Sequence, residues 1–481
     1  MFDPQTRRQF LNTTGMGLGS TILGNIAAQA ATPKGGVGDP YPQTYHLPKA
    51  PAKRVIFLFM AGAPSQLDLF DYKPDLHKRF KEELPESIHK GQRVTAMTKG
   101  RAKIVAPSMF KFNSHGQSGM YLSEVLPHLG SVADDLALIK STSTTAINHD
   151  PGKTLFCTGT EIPGKASMGA WLSYGLGRMN ENLPDFIVLN SAFWSGDSQN
   201  VQGLYSRLWG SGFLPSKHQG VPFQPSGDPV LFLSNPSSVS PKTRGKMLDL
   251  VTKLNEEEMA KFGDPEIQTT IAQQEMAFRM QASVPDLTDL TKENEVINEK
   301  LYGPEVKKSG SFARNCLLAR RMAERGVRFI QLFHRGWDHH VGLPKKVRGQ
   351  AYDVDQPCAG LINDLKQRGM LDDTLVVFAG EFGRTTYGQG KLARDNYGRD
   401  HHPKCFSTWM AGGGIKGGVS VGATDELGSM AVDDKFHVRR LHATILNQLG
   451  LDPNNLSFFH GGLDKSLVGV EGAEPIKQII S

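Results

Sequence analysis

Six short apolar runs recur along the chain, each ending at a glycine or a polar turn: "KRVIFLFMAG" (Lys53 to Gly62), "DLALIKST" (Asp135 to Thr142), "PDFIVL" (Pro184 to Leu189), "GVRFIQLF" (Gly326 to Phe333), "DTLVVFAG" (Asp373 to Gly380) and "FSTWMAGG" (Phe406 to Gly413). Runs this short, and apolar at nearly every position, predict strands covered on both faces, as in a parallel sheet. Between them, apolar residues return at helical spacing in "FARNCLLARRMAER" (Phe312 to Arg325), "AGLINDLKQRG" (Ala359 to Gly369) and "HVRRLHATILNQLG" (His437 to Gly450). Strand, helix and strand in that order imply right-handed crossovers and one large α/β domain over residues 50–481. Residues 243–303 differ: charges interleave with Leu, Met and Ile at helical spacing and no strand pattern interrupts them, which predicts a helical insertion whose methionines fill core gaps.

Composition narrows the function classes. Charged residues make up 21% of the 481 and the net charge is +6, with no long Lys/Arg block, which argues against a nucleic-acid partner. The N-terminus says more. "TRRQFLN" (Thr6 to Asn12) precedes an uncharged, glycine-rich apolar stretch and the small-residue site Ala28-Gln29-Ala30, a pattern that resembles a twin-arginine export signal over residues 1–30. The stretch is too short and glycine-rich to span a bilayer. The expectation is therefore an exported protein, periplasmic or extracellular, handed over by the twin-arginine machinery and not integral to the membrane after processing. A Pro/Gly-rich leader occupies residues 31–49. The four cysteines, Cys157, Cys316, Cys358 and Cys405, form no CxxC, so neither a zinc knuckle nor a disulfide framework is expected; buried thiols or one or two bridges remain.

In an open parallel sheet, ligands gather where the carboxyl ends of strands meet their loops. Polar clusters follow four of the runs: Ser65, Asp68 and Asp71 after the first, Asn148, His149 and Asp150 after the second, "GWDHH" with Asp338, His339 and His340 after the fourth, and Glu381, Arg384, Asp400, His401 and His402 after the fifth. Carboxylates and imidazoles from separate strand ends can enclose one or two divalent cations (Zn, Mn, Ca or Mg). Asp338 with one of its two neighbouring histidines is the expected ligand pair. The competing reading makes the same histidines hydrogen-bonded loop residues with no metal. A helix starting near Pro151 would offer its N-terminus to an anion between Asn148 and Lys153, with Lys153 and Arg384 as positive partners. His149 suits a ligand, a nucleophile or a base, with Asp150 placed to orient its ring.

The order of "FMAGAPSQLDLFDYKP", "NHDPGKTLFCTG", "GWDHH", "GEFGRT", "GRDHHP", "WMAGGGIKGG", "GATDELG" and "LHATILNQLGLDP" resembles the domain of unknown function 1501 family of exported bacterial proteins, which belongs with the alkaline phosphatase and sulfatase superfamily. The resemblance covers nearly all of the mature chain. It implies an alkaline-phosphatase-like three-layer sandwich: a central, mostly parallel sheet, helices on both faces and the helical insertion. It also implies Asp338 and His340 as the Asp/His pair of one metal site, His402 or His401 as the later histidine, and Glu381 as a carboxylate of a second site. The chain departs from the pattern in three places. Phe382 stands where a ligand histidine is expected, Met60-Ala61-Gly62 replaces a metal-binding aspartate, and Asn148-His149 replaces a Ser, Thr or Cys nucleophile. No formylglycine pentapeptide is present, and Cys157 in "LFCTG" does not fit one. Two functions follow: a metal-dependent hydrolase of a phosphate or sulfate ester, small or polysaccharide, or a non-catalytic member binding a metal, an anion or a cell-surface partner.

Overall fold

The computed structural model describes residues 45–89, 93–192, 201–225, 228–230, 235, 238–263 and 265–481. The export signal and most of the leader lie outside the described residues. Eleven strands carry the argument: β1 (Arg54–Met60), β2 (Leu136–Ser143), β3 (Phe186–Ser191), β4 (Val221–Phe223), β5 (Phe329–His334), β6 (Thr374–Ala379), β7 (Gly383–Ala393), β8 (Asn396–His402), β9 (Phe406–Ala411), β10 (Val419–Val421) and β11 (Phe436–His437). Eight helices accompany them: α1 (His149–Thr158), α2 (Met168–Leu176), α3 (Pro241–Phe262), α4 (Pro265–Thr288), α5 (Glu295–Tyr302), α6 (Phe312–Glu324), α7 (Leu343–Gln367) and α8 (Val438–Gln448). The main sheet runs β10-β2-β9-β6-β1-β5-β3-β4, with β11 also beside β2.

Alternation along β1 shows how the layers form. Ile56, Leu58 and Met60 point to one face and join a core with Leu317 of α6 and Val347 and Leu361 of α7. Phe57 and Phe59 point to the other face, 5.9 and 5.5 Å from the ring of Phe156 on α1. Each such side chain withdrawn from water contributes roughly 1.5–3 kcal/mol. β1 is thus covered on both sides, and its near-continuous apolar run follows from that position. The result is a mixed α/β fold with a central, mostly parallel sheet between helices. Among the described residues no helix is long and apolar enough to cross a membrane.

Two readings of the sequence need correction. The run at 406–413 repeats the pattern of the parallel strands, yet β9 pairs antiparallel with both β2 and β6. The cause lies in "GEFGRTTYGQGKLARDNYGRDHHP", read as a loop, which forms an antiparallel hairpin of β7 and β8. No helical crossover returns the chain to the far end of the sheet, so it re-enters from the rim it has just left and runs backwards. Likewise α7 begins at Leu343, sixteen residues before the helical run at Ala359. Pro357 looks like a start signal but lies inside the helix, where it removes one backbone donor without ending the turn. The short edge strands β4, β10 and β11 leave too few residues for any periodicity to show. All four cysteines are free and buried.

Candidate metal centre

The carboxyl ends of β1, β2, β5 and β6 open on one rim. At the end of β1 the chain turns through Gly62, whose φ of +111° suits glycine. A Cβ there would lie 2.7 Å from the backbone nitrogens of both Trp337 and Asp338. Glycine therefore lets the loop after β5 press against the end of β1, and this close approach delivers Asp338. Trp337 is held in turn by its indole N–H, which donates to His334 Nδ1 at 3.0 Å. His149 opens α1 after β2, and Gly152 one turn later faces Glu381 and Phe382, where a Cβ would come within 3.2 Å of either side chain. α1 consequently lies flush against the end of β6.

Four side chains converge on Asp338 Oδ1. His340 Nε2 is 2.8 Å away, His149 Nε2 3.1 Å, His401 Nε2 3.5 Å and Arg384 Nη2 2.8 Å. One ligand atom each from His149, Asp338, His340 and His401 lies within 4.8 Å of the others, so the group could hold a metal ion. Among the described residues it is the one such group of three or more His, Cys, Asp or Glu side chains. Phe382, where the resemblance leads one to expect a ligand, instead packs its ring 4.9 Å from that of His149 and 4.6 Å from that of His401.

The proton positions follow from the outer partners. His149 Nδ1–H donates to Glu381 Oε1 at 2.6 Å, and that oxygen also accepts from Gly62 N at 2.9 Å. His401 Nδ1–H donates to the carbonyl of Ile147 at 2.6 Å, and His340 Nδ1–H to Gln389 Oε1 at 2.6 Å. With Nδ1 carrying the proton, each neutral ring turns an Nε2 lone pair toward Asp338. Three lone pairs facing a carboxylate oxygen repel one another unless a cation sits among them or protons are added. His149 Nε2, His401 Nε2 and Glu381 Oε2 are all buried without a hydrogen-bond partner. Buried polar atoms left so are uncommon and costly, and the two imidazole nitrogens are of the kind that a divalent ion could satisfy.

The ionisation of the cluster divides: His401 is held neutral, whereas without an ion His149 is drawn toward its protonated form. Burial pushes the Asp338 carboxyl up, but Arg384 and then the three histidines hold it well below the usual carboxylate range. Burial pushes His401 down to about 4. For His149 burial also acts downward, yet Asp338 and Glu381 on its two nitrogens leave it above the ordinary histidine value. Glu381 stays ionised despite burial because His149 and Lys153 face it.

Other residues singled out from the sequence go elsewhere. His402 turns away from the cluster and donates from Nε2 to the carbonyl of Ser429 at 2.9 Å. Successive side chains on a strand face opposite sides, so one histidine of "DHH" at the end of β8 can enter the group and its neighbour cannot. The hairpin register places His401 across from Arg384 and thereby selects it. His339 is buried and outside the group, its ring pushed down to about 3 by burial. Arg384, expected to clamp an anion, is fully buried and already occupied. Its Nε donates to Ala63 O at 2.9 Å, Nη1 to Arg399 O at 3.3 Å, and Nη2 to Gly62 O, Trp337 O and Asp338. Lys153 donates to the carbonyl of Gly203 and lies 5.6 Å over the Tyr205 ring. Asn148 precedes α1, exposed and without a side-chain cap bond. Asp150 pairs with Arg207, so Glu381 rather than Asp150 orients His149.

Asp68, the nearest acid to the end of β1, does not replace the missing aspartate; it forms a separate buried pair with Arg399 at 2.7 Å. Sequence reasoning also missed Gln202, which donates to Asp338 Oδ2 at 3.0 Å, and Gln389 behind His340. Arg394-Asp395 joins β7 to β8 as a two-residue turn but lacks the Asn-Gly or Asp-Gly signature of a hairpin, so Gln389 had no sequence signal. Nothing local marks Gln202.

A family model described as "Protein of unknown function (DUF1501)" matches residues 52–480. No curated protein matches the chain in sequence. Among solved structures the chain is similar to the lipoteichoic acid synthase LtaP from Listeria monocytogenes (10% identity, 89% of this chain and 77% of that one, TM-score 0.36). It is also similar to the PsFucS1 sulfatase from a Pseudoalteromonas species (12%, 83% and 68%, TM-score 0.33) and to alkaline phosphatase from the Antarctic bacterium TAB5 (11%, 83% and 99%, TM-score 0.30).

Proposed function

The chain belongs to the DUF1501 family, and from that premise we propose a metal-dependent hydrolase of a phosphate or sulfate ester, whose ion would be held by His149, Asp338, His340 and His401. The observation that carries this reading is the meeting of three Nε2 atoms within 2.8–3.5 Å of one buried carboxylate oxygen, with every Nδ1 hydrogen already given to an oxygen. Three imidazoles and a single carboxylate suit Zn or Mn better than Ca or Mg, which prefer oxygen ligands. When bound, such an ion supplies Lewis acidity toward a phosphoryl or sulfuryl oxygen.

The chain's own groups do the rest. Glu381 fixes the tautomer and tilt of His149, and the carbonyl of Ile147 and Gln389 do the same for His401 and His340. Arg384 keeps Asp338 ionised, while Phe382 excludes water from one side of the rings. Twin-arginine export would deliver the folded protein to the periplasm or beyond, where a small or polysaccharide ester is the substrate. The paired Arg7-Arg8 supports that location, and the mass of the mature N-terminus after expression tests it.

Elemental analysis of the purified protein, paired with a panel of aryl phosphates, phosphodiesters and sulfates, tests the function. About one equivalent of metal is expected, with hydrolysis abolished in Asp338→Ala and His401→Ala. One observation favours a second reading, a binder without turnover: Arg384 is fully buried and consumed by backbone carbonyls and Asp338, so it clamps no substrate anion. Stoichiometric metal without hydrolysis of any ester in the panel supports that reading. A well-folded protein that takes up no metal sinks both.

A further inference from the structure

The helical insertion carries a second apolar face, turned to solvent. In α3, Gly245, Leu248, Thr252, Asn255 and Met259 recur at helical spacing and are half-buried. They form the side toward α4, on which α3 packs, and a Cβ at Gly245 would lie 3.6 Å from the ring of Phe278 there. On the opposite side Met247, Leu250 and Leu254 follow the same three- and four-residue spacing, and they are 50, 60 and 54% exposed. Met247 thus stands in solvent instead of filling a core gap. Single exposed apolar residues are ordinary, whereas a row of them along one helix face marks a surface that meets another.

The charges on α3 point to what it meets. The helix has no acid in its first turn; Lys242, Arg244 and Lys246 lie near its start, and Glu256, Glu257 and Glu258 near its end. That order is the reverse of what the helix dipole favours, so it does not serve the helix itself. Nor does it serve the fold. None of these side chains makes an ion pair or hydrogen bond among the described residues, whereas Arg279 of α4 pairs with Glu275 and Glu181, both at 2.9 Å. At 3.6 residues per turn, Lys246 and Glu257 flank the apolar row on one side, and Arg244 and Glu258 flank it on the other.

We propose that this face joins a second copy of the chain, the two α3 helices lying head to tail about a two-fold axis near Val251. Such an axis lays Met247, Leu250 and Leu254 of each copy against those of the other. It also sets Lys246 beside Glu257 of the partner subunit, and Arg244 beside Glu258 of the partner subunit. Each pair occurs twice, because a two-fold contact uses the same patch on both copies. Helices running the same way would instead set like charges and like dipole ends together. The face of this 22-residue helix is roughly 33 Å long and about 10 Å wide, well under the roughly 800 Å² that each partner gives to a tight interface. A reversible dimer with a Kd of about 10 µM is therefore expected.

Sedimentation velocity of the purified chain from about 1 to about 100 µM tests this, and the mass should move from monomer toward dimer across that range. Leu250→Glu should raise the Kd at least about tenfold. Lys246→Glu alone and Glu257→Lys alone should each weaken the dimer about tenfold, and the two in one chain should bring it back to within about threefold. The two positions are about three turns apart, roughly 16 Å, so they cannot rescue each other within one copy. All three side chains are exposed, so these substitutions spare the fold. A chain that stays monomeric at the top of the range overturns the proposal, as does a dimer that Leu250→Glu leaves unchanged. So does a dimer that is not weakened by the single charge reversals, or not restored by the double one.

Discussion

The β7–β8 hairpin contributes two buried arginines, each facing a buried aspartate, and the two pairs are chemically unlike. Arg399 meets Asp68 at 2.7 Å, and the rest of that carboxylate accepts from Tyr397 at 2.8 Å and Ser65 at 2.5 Å. Every neighbour is a true donor, and the carboxyl is held below its usual range although burial opposes this. Arg384 meets Asp338 at 2.8 Å, but three lone-pair nitrogens crowd the same oxygen. Burial and an arginine partner are common to both, so neither marks function. The excess of lone pairs sets them apart, because one site is balanced by donors and the other could hold a cation.

Breaking each pair should separate these roles. The largest effect is expected for Asp338→Ala: metal content near zero, and ester hydrolysis down by roughly 10³-fold or more, read by elemental analysis and initial rates. Asp68→Ala should leave the metal in place yet cost about 3–5 kcal/mol of stability in a denaturant titration, since Arg399 would remain buried and unpaired. Loss of metal in that variant would mean the two pairs are one system. Gly62→Ala sharpens the comparison from the backbone. Its Cβ would meet the Trp337 and Asp338 nitrogens, so a loss of about 2 kcal/mol or more is expected together with weakened metal retention.

The effect smallest at neutral pH concerns His402, the histidine that the hairpin turns outward from the cluster. Burial holds it at about 4 in the fold against an ordinary value of 6.5. Between those values the unfolded chain takes up a proton that the folded one refuses. Its contribution is therefore intact above about pH 6.5 and is lost as pH falls toward 4, at about 1.4 kcal/mol per pH unit. His402→Asn should remove that slope from stability measured against pH and leave the metal content unchanged. A drop in metal content would place His402 among the ligands after all.

Much of the architecture was readable beforehand because it is written locally. The runs at β1, β2, β3, β5 and β6 are apolar at nearly every position, as strands between two helical layers must be. Asp338 and His340 share one short loop, so their proximity needed no long-range knowledge. β9 has the same apolar run as its parallel neighbours and runs the other way, since direction depends on the connection and not on the strand's own residues. Arg384 beside Glu381 at a strand end looks like an anion clamp. Only the carbonyls of Ala63, Gly62 and Trp337, from two other strand ends, show that it is a brace.

The sequence alone determined the class of fold, the strand ends at which chemistry gathers and the residue types that gather there, because side-chain periodicity follows from covalent geometry within a few residues. The tertiary structure decided which histidine of each pair faces inward, that Glu381 supports His149, and that glycine at position 62 makes room for Asp338. Those outcomes depend on register and close approach between segments up to 319 residues apart, and such distances appear only once the chain has packed.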